Sequence, residues 1–265
     1  MTVRTEKNGS VWTIIHARAE ARNAMDPESG KALYDAFVAF DADDSASVAV
    51  FWGEGGAFCA GWDLKHAASL QGGERLAELE FSADEPGHVA GPMGPSRLEL
   101  SKPVIAAIEG PAVAGGMELA MWADMRVMGE SAYMGVYCRR WGVPLIDGGT
   151  VRLPRLVGEG RAMDLILTGR QVMADECLRI GLCEYVVEDG GARGKAEELA
   201  AAISRFPQMC MRADRASARA QHGLAERAAL HQEFTWSAPM VGAEGVKGAA
   251  RFAAGKGRGG DFGDI

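Results

Sequence analysis

Blocks of apolar residues along the chain follow two different periods. "SVWTIIHA" (10–17), rich in β-branched and aromatic residues, reads as a strand, and so do "SVAVFWG" (47–53), "PVIAAIEG" (103–110) and "MRVMG" (125–129). "PESGKALYDAFVAFDAD" (27–43) instead spaces Leu33, Phe37 and Phe40 at helical intervals behind Pro27, a residue suited to a first turn. Further helical patterns fall at 160–168, 174–180 and 191–206. Strand–helix alternation of this kind predicts an α/β core with parallel pairing. Two regions depart from it. Residues 70–96 are crowded with Gly, Pro and charge, and predict a long mobile segment with a short helix inside. From about 191 onward strand signals cease, which predicts a core over 1–190 and a helical region over 191–265. Phe206, Met209, Met211, Leu224, Leu230, Phe234 and Trp236 give that region more apolar surface than isolated helices should expose. A partner subunit would cover it, and so would the chain's own core.

Composition narrows the function classes. At 265 residues and 48% hydrophobic, the chain can bury a sizeable core. Its net charge of -8 argues against nucleic acid as a partner, because phosphate backbones need a basic face. A local Arg/Lys cluster could still hold a small phosphorylated ligand. No apolar run approaches the roughly 20 residues of a membrane helix, and "MTVRTEKNGS" lacks the apolar stretch of a signal peptide. Five cysteines without a CxxC predict reduced thiols, no metal site and a cytoplasmic location.

Two glycine-rich strand ends carry the candidate chemistry. "GGAFCAGWDL" (55–64) has backbone that a ligand can approach closely. In "GPAVAGGMELAMWAD" (110–124), Gly115 and Gly116 open a helix, whose first N–H groups and dipole favour an oxyanion. Glu118 falls in that first turn among Met117, Leu119 and Trp122. A buried carboxylate there costs free energy unless it is paired or used. Acting together, the two segments suit a thioester carbonyl that becomes an enolate.

These pieces, with "NAM" (23–25), "AFCAGWDL" (57–64), "KPVIAAIEGPAVAGGMELAMWADMRV" (102–127), "GVPLIDGGTVRLPRLVG" (142–158), "AMDLILTGR" (162–170) and "ADECLRIGLCEYVV" (174–187), resemble the crotonase superfamily, the enoyl-CoA hydratase/isomerase family. The resemblance covers almost the whole chain in the family's order. It implies an α/β spiral of ββα repeats with a helical C-terminal trimerisation region, a homotrimer or a dimer of trimers. It also implies a coenzyme A thioester as substrate and no metal or redox cofactor. Carried over, the oxyanion hole is the backbone N–H groups of Trp62 and Gly115. The coenzyme A contacts fall on Arg22, Ala60 and Asp63, and from the C-terminal region on Phe252 and, loosely, Lys256.

Hydratases of the family use two glutamates. Glu118 matches the one that activates water, but the second falls on Cys138, and a thiol is a poor replacement for a carboxyl group. Asp147, between the apolar "VPLI" and two glycines, falls where some relatives carry a catalytic aspartate. The expectation is that Asp147 faces Glu118 across the acyl pocket, kept neutral by its apolar approach, one acting as base and the other as acid. The alternative for this residue is a cap on the helix beginning near Gly149. The leading function is hydration of a 2-enoyl-CoA. Double-bond isomerisation, hydrolysis or dehalogenation through Asp147 as nucleophile, and a non-catalytic CoA-ligand binding protein are the alternatives.

Overall fold

The structure is a computed structural model and describes residues 2–69, 79–82 and 88–257. Much of the segment 70–96 and the end of the "GKGRGG" tail therefore lie outside the described residues. Where the chain is described again after residue 87, it forms a hydrogen-bonded and largely buried turn. Gly91 and Gly94 exchange backbone hydrogen bonds of 2.8 and 2.9 Å, a 3-10 turn follows at Pro95–Arg97, and Met93, Pro95 and Ser96 are buried. Gly and Pro, read in the sequence as signs of a loose segment, also build tight buried turns such as this one.

A six-stranded sheet carries the first compact unit, Met1–Ala200. Its strands are β1 (Val3–Asn8), β2 (Val11–His16), β3 (Val48–Gly53), β4 (Val104–Ile108), β6 (Met125–Gly129) and β9 (Tyr185–Val187), in the order β1-β2-β3-β4-β6-β9. Only β1–β2 is antiparallel. A smaller sheet stacks β5 (Pro111–Val113), β7 (Tyr133–Gly135) and β8 (Gln171–Met173). Two successive turns of chain add a strand to the large sheet and then one to the small sheet, β4 and β5 before one helix and β6 and β7 before the next ones. That repetition is the predicted ββα spiral.

Helix α1 (Pro27–Ala42) starts where Asp26 accepts the Ser29 N–H at 2.8 Å and Pro27 fixes the first turn. Its Leu33, Phe37 and Phe40 are buried, with Phe37 edge-on to Phe51 and Trp122 at 5.4 and 4.8 Å. Helix α2 (Leu64–Ser69) follows β3, and α3 (Gly115–Trp122), buried along its whole length, follows β5. Helices α4 (Gly149–Val157) and α5 (Glu159–Thr168) precede β8, and α6 (Ala174–Ile180) precedes β9. Helix α7 (Ala192–Ser204) buries Ala192, Ala196 and Ala200, and its Glu197 accepts from Thr13 of β2 at 2.8 Å. The division between the compact units falls within this helix, after Ala200, ten residues beyond the boundary that composition suggested.

The second unit, from Ala201, holds α8 (Gln208–Ala220), α9 (Glu226–Met240) and α10 (Val246–Ala253). Leu230, Phe234 and Trp236 are exposed, Phe234 by 73%. No described helix is long and apolar enough to cross a membrane.

His16, at the end of β2, is wholly buried, and among the described residues neither ring nitrogen has a partner. Burial, aided by Arg18 and opposed by Asp26, lowers its pKa from 6.5 to about 4. The unfolded chain therefore takes up a proton that the folded one refuses. Stability from this residue is complete above pH 6.5 and is lost as pH falls towards 4, by about 3 kcal/mol in all. The urea midpoint of His16→Leu should fall less than that of the parent between pH 6.5 and 4. Parallel curves would remove His16 as a source of acid sensitivity.

Candidate active site

The site forms where the two glycine-rich strand ends meet. Residues 57–62 run beside β5, joined by the Cys59–Ala112 bridge, and Met25 pairs with Trp62. In that pairing the Met25 N–H goes to the Gly61 carbonyl at 2.7 Å and the Asp63 N–H to the Met25 carbonyl at 2.8 Å, so the Trp62 N–H points the other way. Ala114 turns the chain into α3 at φ 54° and ψ -126°, a conformation that costs a non-glycine residue roughly 1–3 kcal/mol. No side chain caps that helix. Among the described residues neither the Trp62 nor the Gly115 N–H has a protein acceptor, and both residues line one cavity.

Small residues let the segments come this close. A Cβ on Gly61 would stand 2.8 Å from the Ala114 Cβ and 3.2 Å from the Gly115 nitrogen. A Cβ on Gly116 would stand 2.1 Å from the Cys59 carbonyl oxygen.

Glu118 and Asp147 line the same cavity and are 2% and 1% exposed. Glu118 Oε1 accepts the backbone N–H groups of Asp147 at 2.9 Å and Gly149 at 2.8 Å, the start of α4. Gly149 must be small, because a Cβ there would lie 2.9 Å from that oxygen. Burial first, and the charge of Asp147 second, raise the Glu118 pKa to about 7 against the pull of the two N–H groups.

Asp147 does not cap α4, whose N-cap Gly148 is in the left-handed region and whose end has no side-chain cap. The sequence placed Asp147 across the pocket from Glu118. The structure puts them side by side, joined through the Asp147 N–H, and turns the Asp147 carboxylate to the buried turn at 91–97. Its Oδ1 accepts the Met93 N–H at 2.9 Å and the Ser96 hydroxyl. Among the described residues Oδ2 takes no hydrogen bond. Burial raises the Asp147 pKa, in the direction expected from the apolar approach, while Ser96, Met93, Arg97 and Arg152 oppose the rise.

Cys138 also lines the cavity, and burial and the Glu118 charge push its thiol up. Ala60 lines the cavity mouth, and its N–H donates to the Arg22 carbonyl at 3.1 Å, which sets the Arg22 loop beside it. Asp63 is not among the cavity residues. Its carboxylate pairs with Arg18 at 2.7 Å and caps α2 through the Lys65 and His66 N–H groups, so this side chain has a structural role. Phe252 and Lys256 are exposed residues of the second unit. Arg140 lies over the Tyr137 ring and Arg139 donates to the Ile166 carbonyl, so that basic pair serves packing. Among the described residues no three His, Cys, Asp or Glu groups gather as metal ligands. Sequence reading missed Met93, Ser96 and Arg152. Only the "GPMGPS" turn signal, read as looseness, marked the first two.

A sequence model of the enoyl-CoA hydratase/isomerase family matches residues 6–254. The chain belongs to the enoyl-CoA hydratase/isomerase family. It is therefore an enzyme of the hydratase and isomerase class. Within this family it is 39% identical to the enoyl-CoA hydratase EchA19 of Mycobacterium tuberculosis over 75% of this chain and 73% of that one. It is 37% identical to the carnitinyl-CoA dehydratase of Proteus mirabilis over 77% and 75%. The crystal structure of an enoyl-CoA hydratase from Bacillus anthracis superposes with a TM-score of 0.87, at 27% identity over 96% of both chains. The family spiral expected from the motifs is thus the fold observed.

Proposed function

We propose that the protein hydrates a 2-enoyl-CoA to the 3-hydroxyacyl-CoA, with Asp147 standing in for the missing second glutamate. The supporting observation is that two N–H groups without an acceptor among the described residues and two buried carboxylates line one cavity. The thioester carbonyl accepts from the Trp62 and Gly115 N–H groups, which hold the negative charge as the enolate forms. Ionised Glu118 takes a proton from water while the water oxygen bonds to C3. Asp147 acts from the minor form of the singly protonated pair, in which the shared proton has moved to it from Glu118, and gives that proton to C2. This leaves Asp147 ionised beside protonated Glu118, the favoured resting form of the pair. The pair works with one proton between its members and titrates as a unit. The relatives' names, a hydratase and a dehydratase, fit water addition or its reverse.

In this reading the coenzyme A thioester is substrate, no other cofactor takes part, and the adenine lies by Ala60 and the Arg22 loop. The exposed Leu230, Phe234 and Trp236 pack on neighbouring copies in a trimer or a dimer of trimers, from which Phe252 and Lys256 reach a neighbour's coenzyme A. Five free cysteines suit the cytoplasm.

The test is mass spectrometry of acyl-CoA thioesters incubated with the protein in heavy water. Addition of one water with deuterium at C2 is expected, and Asp147→Asn should slow it by roughly 10² or more. Deuterium in a rearranged product of unchanged composition would make the protein an isomerase. Free coenzyme A, with heavy oxygen from labelled water entering Asp147, would make it a hydrolase, the reading favoured next by an Oδ2 that takes no hydrogen bond among the described residues.

A further inference from the structure

Arg152, on α4, closes a ring of hydrogen bonds with Ser96 and Asp147, and Glu118 is tied to that ring. Its Nη1 donates to the Asp147 carbonyl at 2.8 Å and its Nη2 to the Ser96 carbonyl at 2.7 Å. The Ser96 hydroxyl returns to Asp147 Oδ1, and the Asp147 N–H continues to Glu118 Oε1. One guanidinium thus fastens the turn at 91–97 to the loop ahead of α4. Gly148, at φ 99°, leaves room for it, since a Cβ there would stand 2.2 Å from Nη1. Among the described residues, the other ionisable groups facing the pair are Arg97 from the 3-10 turn, Cys59 from the strand end and Cys138 from the turn Tyr137–Trp141. Both thiols are pushed up and stay neutral, Cys59 to about 12. Arg97 spends Nη1 on the Leu79 and Ala90 carbonyls. Arg152 is therefore the cation bonded into the ring itself.

We infer that Arg152 is a positioning residue that fixes the geometry of the Glu118–Asp147 pair and sets the pH at which the pair gives up its last proton. It touches neither substrate nor the reacting atoms in this arrangement. It acts by holding the Asp147 backbone, and hence the N–H to Glu118, and by placing one positive charge beside two acids that burial would otherwise keep protonated. The inference rests on the proposed two-carboxylate site.

Carboxyl ¹³C titration of the free protein tests it without requiring turnover. The two signals are assigned by their loss in Glu118→Gln and Asp147→Asn. The last proton should leave the pair near pH 7 in the parent. Arg152→Gln, which keeps an amide donor, should move that midpoint up by about 0.5–1 unit. Arg152→Lys should return it close to the parent value. The alkaline limb of kcat should move with the midpoint. An unmoved midpoint in a folded Arg152→Gln protein overturns the inference, as does a fall in kcat with both limbs in place, the mark of a merely structural arginine. Full turnover in Glu118→Gln would instead overturn the site reading, whatever Arg152 does.

Discussion

Glu118→Gln should lose about 10² to 10⁴ in turnover and yet be the more stable protein at alkaline pH. The two effects share a cause. Glu118 is 2% exposed, and its carboxyl gives up a proton only near pH 7 instead of near 4.5. In the unfolded chain the same group is ionised from about pH 4.5 upward. The folded state holds the proton more tightly, so its stabilising contribution is complete below 4.5 and is lost as pH rises through 7. The loss amounts to about 3 kcal/mol. Glutamine carries no such pH-dependent loss, and its carbonyl oxygen can still accept the Asp147 and Gly149 N–H groups. Its amide needs an acceptor, which takes back part of the gain, and a net stabilisation of about 1–2 kcal/mol at pH 8 is expected. Near pH 4.5 the two proteins should unfold at similar urea concentrations. Equal midpoints at both pH values would mean that the buried charge is not the strained element. Unimpaired turnover would mean that Glu118 is not the base. A site that is costly to fold and necessary for chemistry is what a catalytic carboxylate on a buried helix requires.

The strands and long helices were legible because burial writes its period directly into the sequence. "SVAVFWG" and "PVIAAIEG" become central strands buried on both faces, and the Leu33, Phe37, Phe40 stripe becomes the inner face of α1. The three-residue strands β5, β7, β8 and β9 were not legible, since so few residues carry no period. Glu118 was legible as an acid with apolar neighbours in a first helical turn. The direction of the Asp147 carboxylate was not. Its partners, Met93 and Ser96, lie more than 50 residues earlier in the chain, at separations of 54 and 51. Such a bond depends on where the spiral brings the turn at 91–97, and no local pattern encodes that. Arg152 was missed for a similar reason. On a helix it resembles any exposed arginine until the carbonyls it reaches are known.

Gly116→Ala should destabilise the protein and Gly160→Ala should stabilise it, although both replace a helical glycine. Helix propensity alone gives both the same sign, a gain of up to about 1 kcal/mol for alanine. At Gly160, in α5, nothing lies within 4 Å of the added Cβ, so propensity decides. At Gly116 the Cβ would meet the Cys59 carbonyl oxygen at 2.1 Å and its carbon at 2.8 Å. Neither is the end of a flexible side chain. Cys59 lies in the segment whose carbonyl accepts the Val113 N–H at 3.0 Å, so relief requires α3 and the 57–62 segment to part. That motion should cost about 2–3 kcal/mol net of propensity. It also separates the Trp62 and Gly115 N–H groups, and a displacement of the order of 1 Å between groups that must meet one oxygen costs about 10² in rate. Denaturant midpoints and turnover, measured on both variants, distinguish the two controls on the site. A drop in stability with unchanged kcat would mean that the oxyanion donors are held by something other than this contact. A stabilised Gly116→Ala would mean that the approach of α3 to the strand is looser than 2.1 Å implies, and that glycine at 116 answers to the ligand and not to the fold.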